Sequence, residues 1–114
     1  MRQLLLIIII LIGGIIYAKP IRVVSYNTEN LFHPANDSID GQAQNDTEWT
    51  LEGERKWSFT RYNKKIDNIA RVITNIGQWS GVDIIGLQEI ENAECLRRLC
   101  QVMRRDEYDF VHYE

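Results

Sequence analysis

Cysteine and histidine are scarce in this chain, at two each among 114 residues, and positive charge is in deficit, with 13 basic residues against 16 acidic ones. Two Cys and two His without regular spacing exclude a zinc site. Cys95 and Cys100 lie five apart in a predicted helix, which turns them about 140° apart around its axis. That separation works against a bond between them, and the apolar neighbours Leu96, Leu99 and Val102 favour buried thiols over a disulfide. A formal charge of −3 excludes a broad basic surface for polyanions. Any attraction for phosphate must therefore come from a metal ion or from a local cluster. The densest cluster is Arg61-Tyr62-Asn63-Lys64-Lys65, with Arg55 and Lys56 upstream, and it reads first as a solvated helix face rather than a substrate contact. There is no internal repeat, no linker and no second domain boundary.

Long apolar runs are also scarce. The single example, Leu4 to Ile16, is broken only by Gly13 and Gly14 and is too short to span a bilayer, which takes about 20 apolar residues. It follows Met1-Arg2-Gln3 and precedes Tyr17-Ala18-Lys19-Pro20, the layout of a secretory signal peptide. Residues 1–18 are expected to be that signal and residues 19–114 the domain, in a secreted or periplasmic protein. Ile16 is bulky for its place in a cleavage site, so an uncleaved membrane anchor is the alternative. No Cys follows the apolar core to carry a lipid.

Beyond the signal, Ile21 to Tyr26 is short and β-branched, with turn-type residues from Asn27 to Asn30, and predicts a strand ending near Asn27. The stretch from His33 to Trp57 is polar, lacks apolar periodicity and predicts a long loop. Tyr62, Ile66, Ile69, Ala70, Ile73 and Ile76 then recur at helical steps, with Gly77 placed as a C-terminal cap. Val82 to Glu89 is nearly continuous in apolar residues and predicts a strand buried on both faces, inside a sheet. Asn92 predicts the cap of a second helix with Leu96, Leu99, Cys100 and Met103 on one face, and Arg104 and Arg105 at its end. Tyr108 to Tyr113 alternates as a third strand would. Strand, loop, helix, strand, helix, strand is an α/β order, with helices covering a sheet.

Two polar residues end the first two strands, Asn27 and Glu89. Strand ends along one sheet edge are where open α/β proteins place ligands. A carboxylate there suits a hard cation such as magnesium, and a neutral amide beside it can bond a phosphate oxygen without adding repulsion. On residue type alone, a solvated loop carboxylate and a turn amide explain the pair as well.

Ser25-Tyr26-Asn27-Thr28-Glu29-Asn30-Leu31 resembles the opening strand motif of the endonuclease/exonuclease/phosphatase superfamily, and Asp83-Ile84-Ile85-Gly86-Leu87-Gln88-Glu89-Ile90 is similar to its second motif. Glu52 to Trp57, with Arg61-Tyr62 through Val72-Ile73, resembles an exported bacterial branch of it. The resemblance implies the start of a two-sheet α/β sandwich and a divalent-metal-dependent phosphoesterase, a nuclease or a phosphatase. It implies Mg2+ or Mn2+ as cofactor, Glu89 and Asn27 as catalytic and metal-site residues, and attack of water on phosphorus. Glu29 and Asn30 are candidates for supporting that pocket, although Asn30 also fits a turn. The implied substrate is a phosphate ester, whether nucleic acid, phospholipid headgroup or small ester, and no protein partner is implied. The family's later Asp-x-Asn, Asp and Asp-His motifs have no counterpart in these residues, and neither His33 nor His112 takes a base role. The 114-residue chain alone is therefore expected to be inactive and loosely packed. The rival reading is a non-catalytic exported or membrane-tethered binding module built on the same unit.

Overall fold

Strand β1, Val23–Leu31, opens the fold in a computed structural model that describes residues 18–35, 38–39, 42–43, 47–103 and 108–113. The apolar block at residues 4–16 lies outside the described residues. Polar loop sequence follows β1, and it holds a two-residue hairpin, β2 (Ser38–Ile39) against β3 (Gln42–Ala43), and one 3-10 turn, Thr47–Trp49. The sequence predicts a long polar loop over this stretch. Its aromatic residues give it shape, since Trp49 stacks on Phe32 and meets Trp57 edge-on, while Trp57 is only 5% exposed.

Helix α1 runs from Phe59 to Gly77, and its predicted stripe is its buried face: Tyr62, Ile66, Ile69, Ala70 and Ile73. Burying each of the isoleucines contributes about 1.5–3 kcal/mol, so this stripe fixes the helix on the sheet. Ile76 falls off the stripe and is 45% exposed. Ser58 caps the helix, its hydroxyl accepting from Arg61 N at 3.3 Å. The C-terminus departs from expectation, because Gly77 is helical and Gln78 takes the left-handed turn at φ 48°, its N–H donating to Thr74 O at 3.0 Å. Gly77 serves packing instead. A Cβ there would lie 3.2 Å from Val82 N and 3.3 Å from Val82 Cγ2. Arg22 satisfies the helix end by donating from Nη1 to Gly77 O and to Gly81 O.

Strand β4, Ile84–Ile90, returns parallel to β1, pairing Val24 with Ile85 and Tyr26 with Leu87. A parallel pair needs a crossover, and α1 supplies it. Val24, Tyr26, Thr28, Ile85 and Leu87 turn toward the helices, while Val23, Ser25, Ile84 and Gly86 are exposed on the other face. The expectation that β4 is buried on both faces is corrected here. Among the described residues it pairs only with β1, and Ile84 is 56% exposed.

Helix α2, Ala93–Met103, is capped as predicted, with Asn92 Oδ1 accepting from Cys95 N at 3.1 Å. Cys95 and Leu99 are its fully buried residues, and Leu96, Cys100 and Met103 sit at the margin. The buried face is thus turned toward Cys95 compared with the predicted one. Neither cysteine forms a disulfide, and burial pushes the Cys100 thiol up, away from thiolate chemistry. Burial, with Cys95 and Glu94 nearby, likewise holds the Tyr62 hydroxyl protonated. Arg98 ties α2 to α1 through Asn63 Oδ1 at 3.2 Å. Arg104 and Arg105 lie outside the described residues.

The predicted third strand does not form. Tyr108 to Tyr113 is tied by side chains to main-chain carbonyls before and at the end of β4, with the Tyr108 hydroxyl donating to Val82 O and His112 Nε2 to Ile90 O at 3.3 Å. A cavity of about 640 Å³ separates the two, with Ile85, Leu87 and Glu89 on one wall and Asp109, Phe110 and His112 on the other.

Candidate functional site

The parallel register breaks at the C-terminal ends of β1 and β4. Asn27 pairs with Gln88 and the next pair is Leu31 with Ile90, so Thr28, Glu29 and Asn30 face the single residue Glu89. Such a bulge re-aims side chains at the cost of backbone strain. Glu29, Asn30 and Glu89 all take left-handed φ, at 54°, 64° and 61°, and none is a glycine. Residues other than glycine in that region cost on the order of 1–3 kcal/mol each, so the surroundings must over-determine the turn.

Thr28 and Lys65 do so. Thr28 is 3% exposed, the buried polar residue of the core, and its hydroxyl lies 2.9 Å from both Gln88 O and Glu89 O. Lys65, reaching across from α1, donates to the Glu29 and Asn30 carbonyls. Burial pulls the Lys65 ammonium below its ordinary value, while the Glu29 and Glu89 carboxylates pull it back up. Cation and carboxylates therefore share one small field at the bulge.

The bulge aims two donors at Glu89. Asn27 Nδ2 donates to Oε1 at 2.8 Å, and Asn30 N donates to Oε2 at 3.0 Å. The Asn27 carboxamide cannot turn over, because its Oδ1 accepts from Glu29 N at 2.8 Å. Asn27 thus faces Glu89 with nitrogen, and its oxygen is engaged by the backbone. Asn27 and Glu89 come together as predicted, and Asn30 and Glu29 join through their backbones rather than their side chains. Glu89 is exposed, with carboxylate lone pairs left over for a further ligand. This donor set fits a hard divalent cation that keeps several waters and substrate oxygens around one protein carboxylate. Among the described residues no group of three or more His, Cys, Asp or Glu converges on one point.

Each histidine has partners of its own. His33 packs edge-on against Phe59 and Tyr62, and its Nδ1 accepts from Ala35 N at 3.3 Å. His112 borders the cavity beside Glu89, with its Nε2 engaged by Ile90 O.

Thr28 has no role in the sequence reading, and Lys65 enters it only as part of the basic cluster read as a solvated helix face. The signal for Thr28 was alternation, since it shares the inward face with Val24 and Tyr26. Lys65 borders the buried stripe next to Ile66, where a long side chain can lie along the helix toward the sheet.

Residues 22–114 match the model of the Endonuclease/Exonuclease/phosphatase family. No curated protein and no solved structure matches the chain. The family match takes in both strand ends that build the bulge and the carboxylate it presents. The chain therefore belongs to the endonuclease/exonuclease/phosphatase family, a membership that points to phosphoesterase or nuclease chemistry in general.

Proposed function

We propose that the domain to which this chain belongs hydrolyses a phosphate ester with the help of Mg2+ or Mn2+ held at Glu89. The supporting observation is the tethering of the Glu89 carboxylate on both oxygens by Asn27 and Asn30, at the strand ends of a family member. A divalent cation at that carboxylate supplies charge stabilisation on the phosphate oxygens and a template for the attacking water. Glu89 contributes the negative oxygen donor. Asn27 fixes that donor without adding a second charge, and the Asn30 N–H sets its other oxygen. Lys65 holds the carbonyl side of the bulge, so that the amide side keeps facing the carboxylate. Which ester is cut is a matter of the surrounding loops.

Turnover of bis(p-nitrophenyl) phosphate by protein made from the intact gene, measured against magnesium concentration, tests this assignment. Glu89→Gln keeps the size and deletes the charge, and should remove most activity. Near-normal rates for this variant at limiting magnesium would sink it.

We further propose that the protein is exported, with residues 1–18 as signal and Lys19 as the mature N-terminus. The support is the apolar block 4–16 followed by Ala18. N-terminal sequencing of the exported protein checks this, and intact Met1 in a membrane fraction would point to an anchor.

A further inference from the structure

Away from the Glu89 site the fold has a second end, at the starts of β1 and β4, where α1 also finishes. The turn after α1 leaves Trp79 fully exposed, and Ile76 on the last helical turn and Ile21 just before β1 are exposed with it. They lie at one end, because Ile21 lines a cleft of about 230 Å³ together with Pro20, Ser80 and Gly81. The turn that presents the ring is fixed. Gln78 N donates to Thr74 O at 3.0 Å, Gly81 N to Gly77 O at 2.9 Å, and Arg22 Nη1 to the Gly77 and Gly81 carbonyls. The charged residues lining the cleft are Lys19, Arg22 and Asp83, a near balance, with Lys19 and Asp83 paired at 3.5 Å.

The sequence puts a lipid surface beside this end. The apolar block 4–16 stops five residues before Ile21, a reach of at most about 18 Å of extended chain. A secretory signal occupies the bilayer until it is removed. The end bearing Lys19 therefore meets the lipid surface whether residues 1–18 are cut off or stay as an anchor. Tryptophan suits that surface, since its ring is apolar while its N–H stays hydrated, and it is enriched where membrane meets water. A ring that touches nothing of its own chain also projects beyond its surroundings. That shape enters a soft interface more readily than it fits a preformed protein groove.

We propose that this end docks on a phospholipid bilayer, with Trp79 inserted at the interface and Ile76 and Ile21 beside it. Immersing about half of a tryptophan side chain, on the order of 100 Å² of apolar surface, changes a partition coefficient by more than about tenfold. With the charges of the cleft nearly balanced, this apolar contact drives docking rather than attraction to anionic lipid. Glu89 then faces away from the bilayer. It lies five residues beyond Ile84 along β4, about 17 Å at roughly 3.3 Å per residue, so its carboxylate stays open to solution.

The test uses protein from the intact gene expressed from Lys19 onward, so that the block 4–16 cannot itself insert. Co-sedimentation with phosphatidylcholine vesicles measures partition, and quenching by phosphatidylcholine brominated on its acyl chains reports whether Trp79 enters the lipid. The wild type should partition into the vesicles and be quenched. Trp79→Ser should lower the partition coefficient about tenfold or more and remove the quenching. Trp79→Phe should restore most of the partition, and Ile21→Ser should weaken it several-fold. Adding phosphatidylglycerol or raising salt should change binding less than Trp79→Ser does. Small-ester turnover should be the same in Trp79→Ser as in the wild type, with or without vesicles. Wild type left in the supernatant, Trp79→Ser partitioning as wild type, binding that requires phosphatidylglycerol, lipid-free self-association abolished by Trp79→Ser, or turnover lost on vesicle binding would each overturn the proposal. Failure of the Glu89 assignment shows elsewhere, as small-ester hydrolysis that survives Glu89→Gln, so the two outcomes are distinguishable.

Discussion

Replacing Asn27 by alanine isolates what its carboxamide does for Glu89. The 2.8 Å bond from Nδ2 to Oε1 is charge-assisted, and such bonds contribute about 1.5–3 kcal/mol net. Both residues are exposed, so the lower end applies, and about 1.5 kcal/mol is close to tenfold in an equilibrium constant. The Asn30 N–H at 3.0 Å still holds Oε2 in the variant, so the carboxylate is loosened rather than released. Half-saturation by magnesium should therefore rise about tenfold, at the low end of the range for groups behind metal ligands. The rate at saturating magnesium should fall much less than in Glu89→Gln. The assay is turnover of a small phosphodiester against magnesium concentration, with binding of Mn2+ measured separately by calorimetry. Unchanged half-saturation, with or without loss of maximal rate, would refute the positioning role. If the maximal rate alone collapsed, Asn27 would be acting on substrate instead.

Thr28→Val keeps the shape of a buried side chain and deletes the hydroxyl that spans Gln88 O and Glu89 O; unfolding in denaturant should show a loss of about 1–3 kcal/mol, and an unchanged midpoint would mean that the bulge stands without it. Gly53→Ala would set a Cβ 2.2 Å from Thr47 O and 2.7 Å from Glu48 O, both backbone atoms. The turn carrying Trp49 should open, seen as increased quenching of tryptophan fluorescence by iodide, and wild-type quenching would count against that packing. Asp83 has its carboxyl held below the usual value by the backbone N–H of Arg22 at 2.8 Å, and then by Lys19 at 3.5 Å. A depressed carboxylate stabilises the fold above its unfolded value and loses that contribution as pH falls through its folded value. The melting temperature of the wild type should accordingly exceed that of Asp83→Asn at neutral pH, with the gap closing in acid below the ordinary carboxylate range. A gap independent of pH would refute the linkage.

Legibility in the sequence follows the kind of force involved. Helix α1 was legible because an apolar stripe of period 3.6 has one solution, and Tyr62, Ile66, Ile69 and Ile73 are buried where that period puts them. The α2 cap at Asn92 was legible because a side-chain oxygen before a helix has one common use. Gly77 misled, since a glycine at a helix end serves left-handed backbone and close packing alike, and only the position of Val82 decides between them. Tyr108 to Tyr113 misled for a related reason. Alternation shows that two faces differ, yet a strand also needs a backbone partner, and this segment is tied through Tyr108 and His112 side chains instead.

The site was legible in its residues and not in its geometry. Asn27 and Glu89 each stood out as polar groups ending an apolar strand, and the structure joins them at 2.8 Å. The bulge between them was invisible, because Glu29, Asn30 and Glu89 adopt left-handed backbone without the glycines that would announce it. That conformation is selected by tertiary contacts far away in sequence. Thr28 fastens the bulge to β4 from inside the core, and Lys65 fastens it to α1 from outside. Lys65 also explains why the basic cluster could not be judged from spacing alone. Period and charge placed it on a solvated face, and only the turn of β1 beneath that helix makes it a neighbour of Glu89. A cation that closes a strained turn and stands in the field of an exposed carboxylate couples backbone geometry to the electrostatics of the site. The bulge, Lys65 and the carboxylate therefore form one physical unit.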